Sequence, residues 1–370
     1  MITDERCQYD AWIASAGIPP VKLKSMLDFY GDSESCFRVF TQNPKEFMEN
    51  LTPRTFQLLK ANSSSENLKK LRTQMEHHSI RVMLYTDPLY PERLSKINDS
   101  PAVLFYQGNP ECLNRKILAM VGSRAASYAG QRAARKISEE LSRHHVSVIS
   151  GLASGIDACA HQGCIDGGSA TIAVTGGGLD KIYPAENIKL RDRILEQQGL
   201  ILSEYIPGEK PAGWHFPYRN RIITGISYAL VLMEAKIKSG SMTSVQHALD
   251  QGKDVFVYPG EPDSLYFEGN HQLLREGGIY FTSAEDILED LRWLDNPRSV
   301  RQNNRCSTDM DDTSPEEKAI LVVLGKGILS FEQLLDATGM APSALMSTLT
   351  ILQIRGLTEA LPGKLYQLKH

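Results

Sequence analysis

Five short loops rich in glycine and serine follow apolar stretches of the sequence and could bind an anion. At the carboxyl ends of parallel strands, such loops and the helix starts behind them present unpaired N–H groups that favour phosphate. One loop of this kind proves little, because glycine also serves turns. Together they indicate an extended site for a polyanion or a nucleotide. They are Gly122-Ser123-Arg124, Ser150-Gly151-Leu152-Ala153-Ser154-Gly155, Thr175-Gly176-Gly177-Gly178, Lys238-Ser239-Gly240-Ser241 and Pro259-Gly260.

The first of these loops does not match the common nucleotide motifs. After Gly122 it lacks the second and third glycine of a dinucleotide fingerprint, and no Walker A sequence occurs anywhere in the chain. Arg124 instead places a guanidinium group beside a predicted helix start, which suits a phosphate. An ion pair between Arg124 and a carboxylate at the edge of the sheet is the structural alternative.

A second candidate element is the segment from Trp214 to Gly225, in which aromatic residues precede two arginines that flank an amide. Phe216 belongs to the aromatic group, and Arg219-Asn220-Arg221 follows at the start of a predicted helix. Aromatic faces stack nucleobases and arginines hold phosphates, the combination that single-strand binders need. In the alternative, Phe216 is a core residue and the arginines form ion pairs. The pattern alone leaves both interpretations open.

A mostly parallel sheet must position these segments, because short apolar runs alternate with helical patterns from Arg81 onwards. The runs are continuous rather than alternating, which is typical of strands buried on both faces and covered by helices. The sequence therefore predicts a doubly wound α/β domain over residues 77–292. The predicted strands are residues 82–85, 117–121, 146–149, 171–174, 200–202, 229–233, 254–258 and 279–281.

Two smaller domains flank the predicted sheet. Residues 1–76 show helical spacing of apolar residues, and helix-hairpin-helix modules that contact DNA and plain helical hairpins both fit this pattern. Residues 293–313 are polar and predict a linker. Over residues 314–370, Ser314, Pro315 and Glu317 predict a capped helix start. Helices near 315–324, 331–338 and 342–354, followed by a hairpin turning at Pro362-Gly363, then outline a winged helix.

Composition limits the function classes. The chain has 370 residues and a formal net charge of −4, which argues against a protein that coats duplex DNA through general positive charge. It shows no secretory signal and no apolar stretch of membrane-spanning length, so we expect a cytoplasmic protein without a membrane partner. The 6 cysteines include no CxxC pair and no zinc-like spacing, so we expect no metal site.

Several motifs in consistent order resemble the DprA/Smf (DNA-processing protein A) family over roughly half of the chain. They are Val121-Gly122-Ser123-Arg124, Ser150 to Asp157 with Ala160-His161, Gly178-Leu179-Asp180-Lys181-Ile182-Tyr183-Pro184, Ser203-Glu204-Tyr205, Phe216 to Ile223, and Glu234-Ala235 followed by Ser239-Gly240-Ser241. Three segments depart from the family pattern. They are Gly176-Gly177-Gly178, Ser241 to Val245 and Gly225-Ile226-Ser227.

The resemblance implies an extended Rossmann-like domain, flanked by a helical domain of the SAM or helix-hairpin-helix type and by a winged helix. It further implies a homodimer that binds single-stranded DNA without a cofactor or catalysis and helps load a RecA-type recombinase in natural transformation. The site residues that it implies are Gly122, Ser123, Arg124, Phe216 and Arg219-Asn220-Arg221 in the pocket, Gly151, Ser154, Gly155, Ser239, Gly240 and Ser241 as its floor, and Lys181 at its rim.

Three alternatives remain from the residues themselves. A protein that binds or hydrolyses nucleotide derivatives would need a carboxylate early in the helix after Ser241, and the sequence has none there. Asp157 and His161 could form a metal site or proton relay, although a hydrogen bond on the helix surface, or one that shapes the loop, is the simpler interpretation. A transcription factor would need a basic recognition helix, whereas residues 342–355 contain only Arg355, which favours a protein-contact module.

Overall fold

A computed structural model of the chain describes residues 7–48, 51–294, 314–325, 327, 329–354, 357–361 and 365–368. The chain divides into two compact units, Met1–Trp293 and Leu294–His370. Most of the predicted linker, residues 293–313, lies outside the described residues. Within the described ranges, no helix is long and apolar enough to cross a bilayer.

Six helices form the N-terminal part of the first unit. They are α1 (Cys7–Ala14), α2 (Pro20–Tyr30), α3 (Ser33–Gln42), α4 (Pro44–Met48), α5 (Pro53–Asn62) and α6 (Ser65–His77). Asp32, Thr52 and Ser64 each cap a helix by accepting a hydrogen bond from the backbone N–H three residues on. Trp12 is fully buried and donates through Nε1 to the carbonyl of Leu59, which ties α1 to α5.

The rest of the first unit is built on one sheet of nine strands. The strands are β1 (Arg81–Leu84), β2 (Val103–Gly108), β3 (Ile117–Gly122), β4 (Ser147–Ser150), β5 (Ile172–Val174), β6 (Leu200–Ser203), β7 (Leu230–Glu234), β8 (Val255–Val257) and β9 (Ile279–Tyr280). Their order is β1-β2-β6-β5-β4-β3-β7-β8-β9. Among the described strands of this sheet, only β2 pairs antiparallel, with β1 and β6, so the mostly parallel sheet confirms the predicted fold class. Strand β2 is not among the strands predicted from the sequence.

Helices cover both faces of this sheet. They are α7 (Glu92–Ser95), α8 (Tyr128–Arg143), α9 (Ile156–Asp166), α10 (Ile188–Glu196), α11 (His215–Ile226), α12 (Gly240–Asp250), α13 (Glu268–Arg275) and α14 (Ala284–Asp290). Leu104 of β2 belongs to an apolar core with Ile222 of α11, whereas Phe105, the next residue, belongs to a core with Trp12 of α1. Because successive strand residues point to opposite faces, the N-terminal helices pack on one face and α11 on the other.

The second unit has the predicted winged-helix pattern. Its helices are α15 (Pro315–Leu324), α16 (Phe331–Thr338) and α17 (Pro342–Ile354), and its strands β10 (Leu329–Ser330), β11 (Thr358–Leu361) and β12 (Leu365–Leu368) pair antiparallel in the order β10-β12-β11. Ser314 and Glu317 form the predicted capping box at the start of α15. The predicted turn at Pro362 and Gly363 lies outside the described residues.

Candidate nucleic-acid interface

A cavity of about 700 Å³, here called the DNA pocket, lies beyond the carboxyl ends of β3, β4 and β7. The strand order reverses between β3 and β7, and open α/β sheets bind ligands at such a reversal. Most of the predicted site residues therefore meet at one place although they come from distant parts of the chain. Those that line the DNA pocket are Gly122, Ser123, Arg124, Phe216, Arg219, Asn220, Ser239, Gly240 and Ser241.

Aromatic rings and a cation share one wall of the DNA pocket. The ring centroids of Phe216 and Tyr183 lie 5.6 Å apart, with an interplanar angle of 44°. The guanidinium carbon of Arg124 lies 4.9 Å from the centroid of Phe216, within the range of a cation–π contact. The wall thus offers a stacking face beside a positive charge.

Arg219 is the most enclosed charge of the DNA pocket, with only 3% of its surface exposed. Its Nη1 donates to the carbonyl of Gly151 at 2.7 Å, and its buried Nε has no partner among the described residues. A methyl group at Gly151 would lie 2.5 Å from Nη2 of Arg219 and 2.6 Å from Oδ2 of Asp157, so the two charged groups face each other across the glycine. Burial lowers the pKa of Arg219 to about 10, which still leaves it charged at neutral pH.

Backbone contacts fix the loop that carries Arg124. The N–H of Ser123 donates to the carbonyl of Glu234 at 2.8 Å, and the carbonyl of Ser123 accepts from the N–H of Ile156. Gly155 has φ +75° and sits against the carbonyls of Ser123 and Arg124, where any Cβ would collide. Gly155 therefore positions the Arg124 loop without lining the cavity.

The start of α12 forms part of the floor of the DNA pocket. The hydroxyls of Ser239 and Ser241 are hydrogen-bonded at 2.8 Å, and the first helical residue, Gly240, has open space where a side chain would be. The first N–H groups of a helix have no intrahelical acceptor, so this end of α12 adds a favourable site for an anion.

Five predicted site residues lie outside the lining of the DNA pocket. Arg221 faces away and forms ion pairs with Asp99 at 2.8 Å and with Glu204 at 2.8 Å. The hydroxyl of Ser154 donates to Glu186, and Nζ of Lys181 donates to the carbonyl of Gly208. Gly151 and Gly155 contribute through their contacts with Arg219 and with the Arg124 loop.

The Asp157 and His161 pair resolves into two separate structural roles. Oδ2 of Asp157 accepts from the N–H groups of Gly151 and Ala153, so the carboxylate shapes the loop, as the simpler interpretation holds. Nδ1 of His161 lies 2.8 Å from Oγ1 of Thr171 in a fully buried position rather than on a helix surface. Burial lowers the pKa of His161 to about 3.

Sequence reasoning did not include several residues of the cavity wall. Tyr183 lies within one of the family motifs, and an aromatic residue between a glycine-rich loop and a proline is a usable signal for a stacking side chain. Asp157 was considered as a metal or proton-relay residue or as a hydrogen-bonding residue of the loop, but not as part of the cavity wall. Val121, Ala153, Pro217 and Ile223 lie within the quoted motifs but were not singled out as site residues. No local pattern marks Ala125, Pro211, Gly213 and Ser244.

The fold and the cavity define a class of protein: a Rossmann-like α/β protein with a C-terminal winged helix and an arginine-containing pocket at the reversal of its strand order. A family model described as "DNA recombination-mediator protein A" matches residues 81–292, and one described as "DprA winged helix domain" matches residues 307–364. The chain belongs to the DprA/Smf family, as its motifs predict.

Individual relatives agree with this assignment. DNA processing protein DprA of Streptococcus pneumoniae is 40% identical over 252 residues, which cover 68% of this chain and 84% of that protein. Protein Smf of Escherichia coli is 35% identical over 300 residues, which cover 80% of this chain and 79% of that protein. The X-ray structure of the pneumococcal protein superposes with a TM-score of 0.64 at 35% identity, covering 78% of this chain and 98% of that chain.

A solved structure of DNA processing protein A from Helicobacter pylori is also similar. It superposes with a TM-score of 0.53 at 27% identity and covers 58% of this chain and 97% of that chain. The Helicobacter protein is described as having a unique single-stranded DNA binding mode.

Proposed function

We propose that the chain binds single-stranded DNA in the DNA pocket, with Arg124 and Arg219 as phosphate contacts. The observation that carries the proposal is the state of Arg219. It is buried, and no described carboxylate lies within 4.0 Å of its nitrogens. Asp157 faces Arg219 across Gly151 beyond ion-pair distance, so the buried charge is only partly balanced within the fold and would stabilise an anion bound beside it.

A single strand fits the DNA pocket better than a duplex does. The cavity is concave and presents Phe216 and Tyr183 beside Arg124, and unpaired bases can stack on such rings while a duplex keeps its bases enclosed. The net charge of −4 also leaves positive potential only in local patches. The single-stranded DNA binding mode described for the related Helicobacter protein supports the same ligand class.

The proposal extends to the role of the bound strand. The family description as a recombination mediator supports a protein that holds single-stranded DNA and helps load a RecA-type recombinase, acting through binding rather than catalysis. We propose that it does so as a homodimer, because two linked pockets on one strand raise avidity through effective concentration. Sedimentation at micromolar concentration should then show a species larger than the 41.2 kDa monomer. A monomer with and without DNA would contradict the dimer.

Binding of fluorescent oligo(dT) and of an equal-length duplex tests the ligand class. We expect the wild-type chain to prefer the single strand at least tenfold, about 1.4 kcal/mol. Arg124→Ala should weaken binding about equally for all sequences and make the slope of log K against log salt shallower by roughly 0.7. Equal affinity for the two DNA forms would contradict the proposal.

Nucleotide hydrolysis receives less support from the site. Helix α12 has no carboxylate before Asp250, its last residue, so this helix brings none to the pocket floor. The described carboxylate that lines the cavity is Asp157, and it already accepts hydrogen bonds from the N–H groups of Gly151 and Ala153. Incubation with nucleoside monophosphates should leave them intact, and release of free base would favour an enzyme instead.

A further inference from the structure

A second cavity, of about 720 Å³, lies between the N-terminal helices and the sheet, and we call it the interlayer cleft. Trp214 and Tyr218 line this cleft, whereas Gly213, Phe216 and Pro217 line the DNA pocket. Residues 213–218 therefore form a wall shared by the two cavities. A DNA strand that leaves the DNA pocket across this wall therefore enters the interlayer cleft.

Trp214 belongs to the shared wall, and 65% of its surface is exposed. Its ring packs edge-to-face against His215, with centroids 4.1 Å apart, and lies 6.5 Å from the ring of Tyr218. Large aromatic side chains are usually buried, so an exposed indole braced by other rings is unusual. The bracing orders the indole in advance, so a base that stacks on it would lose little side-chain entropy.

The interlayer cleft contains both positive and negative side chains and is not a strongly positive DNA-binding groove. Arg54, in the first turn of α5, lines the cleft. Glu204 also lines it, but its carboxylate is held by Nη2 of Arg221 at 2.8 and 2.9 Å. Glu209 lies 3.9 Å from Nε2 of His215. We therefore expect stacking to dominate here, with one phosphate contact at Arg54.

We infer that a bound single strand continues from the DNA pocket across Trp214 into the interlayer cleft, with a base stacked on Trp214 and a phosphate beside Arg54. The inference rests on the proposed function and assigns the N-terminal helices a share of the DNA-binding surface. Continuity of the wall favours the DNA strand over a separate ligand, because Gly213, which lines the DNA pocket, directly precedes Trp214, which lines the cleft.

Intrinsic fluorescence provides a direct probe, because the chain has 3 tryptophans in distinct surroundings. Trp12 is fully buried, Trp293 packs edge-to-face on Tyr228, and Trp214 is exposed. Titration of the full chain with unlabelled oligo(dT) of increasing length should quench the emission once the strand is long enough to reach Trp214. Trp214→Phe should abolish the quenching, while the matched control Trp293→Phe should retain it.

Affinity measurements separate stacking from charge. Trp214→Ala should weaken binding of a 20-mer about tenfold, within the range for loss of one stacked base, and leave the salt slope unchanged. Trp214→Ala should not change the affinity for an oligonucleotide so short that it fills only the DNA pocket. Arg54→Ala should make the salt slope for the 20-mer shallower by roughly 0.7. An unchanged melting temperature of Trp214→Ala would show that the exposed indole is not needed for folding.

Specific results would overturn the inference. Quenching that persists in Trp214→Phe would show that the bound strand does not reach Trp214. Equal affinity of wild type and Trp214→Ala at every oligonucleotide length would show the same. Quenching of Trp214 by oligolysine but not by oligo(dT) would identify a cationic peptide as the occupant. If Arg124→Ala weakens binding at every oligonucleotide length while Trp214→Ala does not change the affinity at any length, the proposed function stands and this inference fails. If the wild type binds no oligonucleotide, both fail.

Discussion

The two sides of helix α11 use the same residue type in opposite ways. Arg219 and Arg221 are both buried, at 3% and 1% exposure, and they point to different sides of the helix because residues two apart do not share a face. Arg221 is held by the carboxylates of Asp99 and Glu204. Arg219 has Asp157 only across the space at Gly151, and it lines an open cavity.

The comparison of Arg219 with Arg221 shows that burial alone does not distinguish an arginine that stabilises the fold from one that binds a ligand. The carboxylates within ion-pair distance must be considered as well. A guanidinium with two carboxylate partners has its charge balanced within the fold, and removing it leaves those carboxylates unpaired. A buried guanidinium that faces a cavity, and whose nearest carboxylate lies beyond ion-pair distance, keeps part of its charge available to a ligand. We therefore expect variants on the Arg221 side to change stability and variants on the Arg219 side to change DNA binding.

The largest expected effect is on the Arg221 side. Arg221→Met leaves Glu204 without its guanidinium, and burial already raises the pKa of that carboxyl. We expect a loss of about 3 kcal/mol of stability and a melting temperature lower by several degrees. Well below the transition, the affinity for an oligo(dT) that fills only the DNA pocket should be unchanged. Arg38→Met is the matched control, because Arg38 pairs with Glu34 on the surface and should change stability by less than about 1 kcal/mol. Identical melting of Arg221→Met and wild type would contradict a structural role.

The next effect concerns His161, which lies buried close enough to Arg219 for the arginine's charge to lower its pKa further. The hydroxyl of Thr171 donates to the carbonyl of Val148 at 2.7 Å, so it accepts from Nδ1–H of His161. Nε2 has no partner among the described residues, so a proton there would be buried and unpaired. The pKa of His161 is therefore lowered to about 3, against roughly 6.5 in an unfolded chain.

The sign of the pH dependence follows from proton uptake. Between pH 6.5 and 3 the unfolded state binds more protons, so this share of the stability is present above pH 6.5 and is lost as the pH falls. At pH 5 the loss is about 2 kcal/mol. His161→Asn keeps a donor toward Thr171 and should remove this share of the pH dependence. Urea unfolding at pH 7 and pH 5 measures it, and an unchanged difference between the two pH values would contradict a neutral buried histidine.

A smaller effect is expected at Gly151, where a methyl group would press on Nη2 of Arg219 and Oδ2 of Asp157. Gly151→Ala should move Arg219 and weaken oligo(dT) binding about tenfold, about 1.4 kcal/mol. Gly213→Ala is the matched control on the same cavity wall, because its methyl group would meet nothing within 4 Å. Equal affinity of Gly151→Ala and Gly213→Ala would mean that the position of Arg219 does not matter for binding.

The smallest effect is expected from the second unit. Helix α17 carries no charged residue over Pro342–Ile354, so it has little to offer a phosphate backbone. Deleting residues 314–370 should leave oligo(dT) affinity within about threefold, under roughly 0.7 kcal/mol. A tenfold loss in the same titration would make the winged helix a principal DNA contact.

The parts of the fold that follow local periodicity could be predicted. Continuous apolar runs identified all strands of the sheet except β2, and the capping box at Ser314 marked the start of the winged helix correctly. The glycine-rich loops were placed at the carboxyl edge because parallel strands bring those ends together. Strand β2 and its antiparallel pairing depend on contacts with β1 and β6 that no local pattern encodes.

The sequence could not predict which of the two arginines, Arg219 or Arg221, lines the DNA pocket and which forms ion pairs. Asp99, a partner of Arg221, lies 122 positions away in the sequence, so the spacing of the two arginines gives no sign of which one is paired. Tyr183 likewise meets Phe216 only because its loop and the first turn of α11, far apart in the sequence, converge. Such contacts arise from the topology of the sheet, whereas the residue types that make them are visible in the sequence.

The most direct test of the central claim is the salt dependence of oligo(dT) binding to Arg219→Met, measured beside Arg221→Met and wild type. Both variants are first melted, and binding is measured well below each transition. If Arg219 holds a backbone phosphate, Arg219→Met binds more weakly and its slope of log K against log salt is shallower by roughly 0.7, while Arg221→Met keeps the wild-type slope. Wild-type affinity and slope in Arg219→Met, or a shallower slope in Arg221→Met instead, would contradict the account.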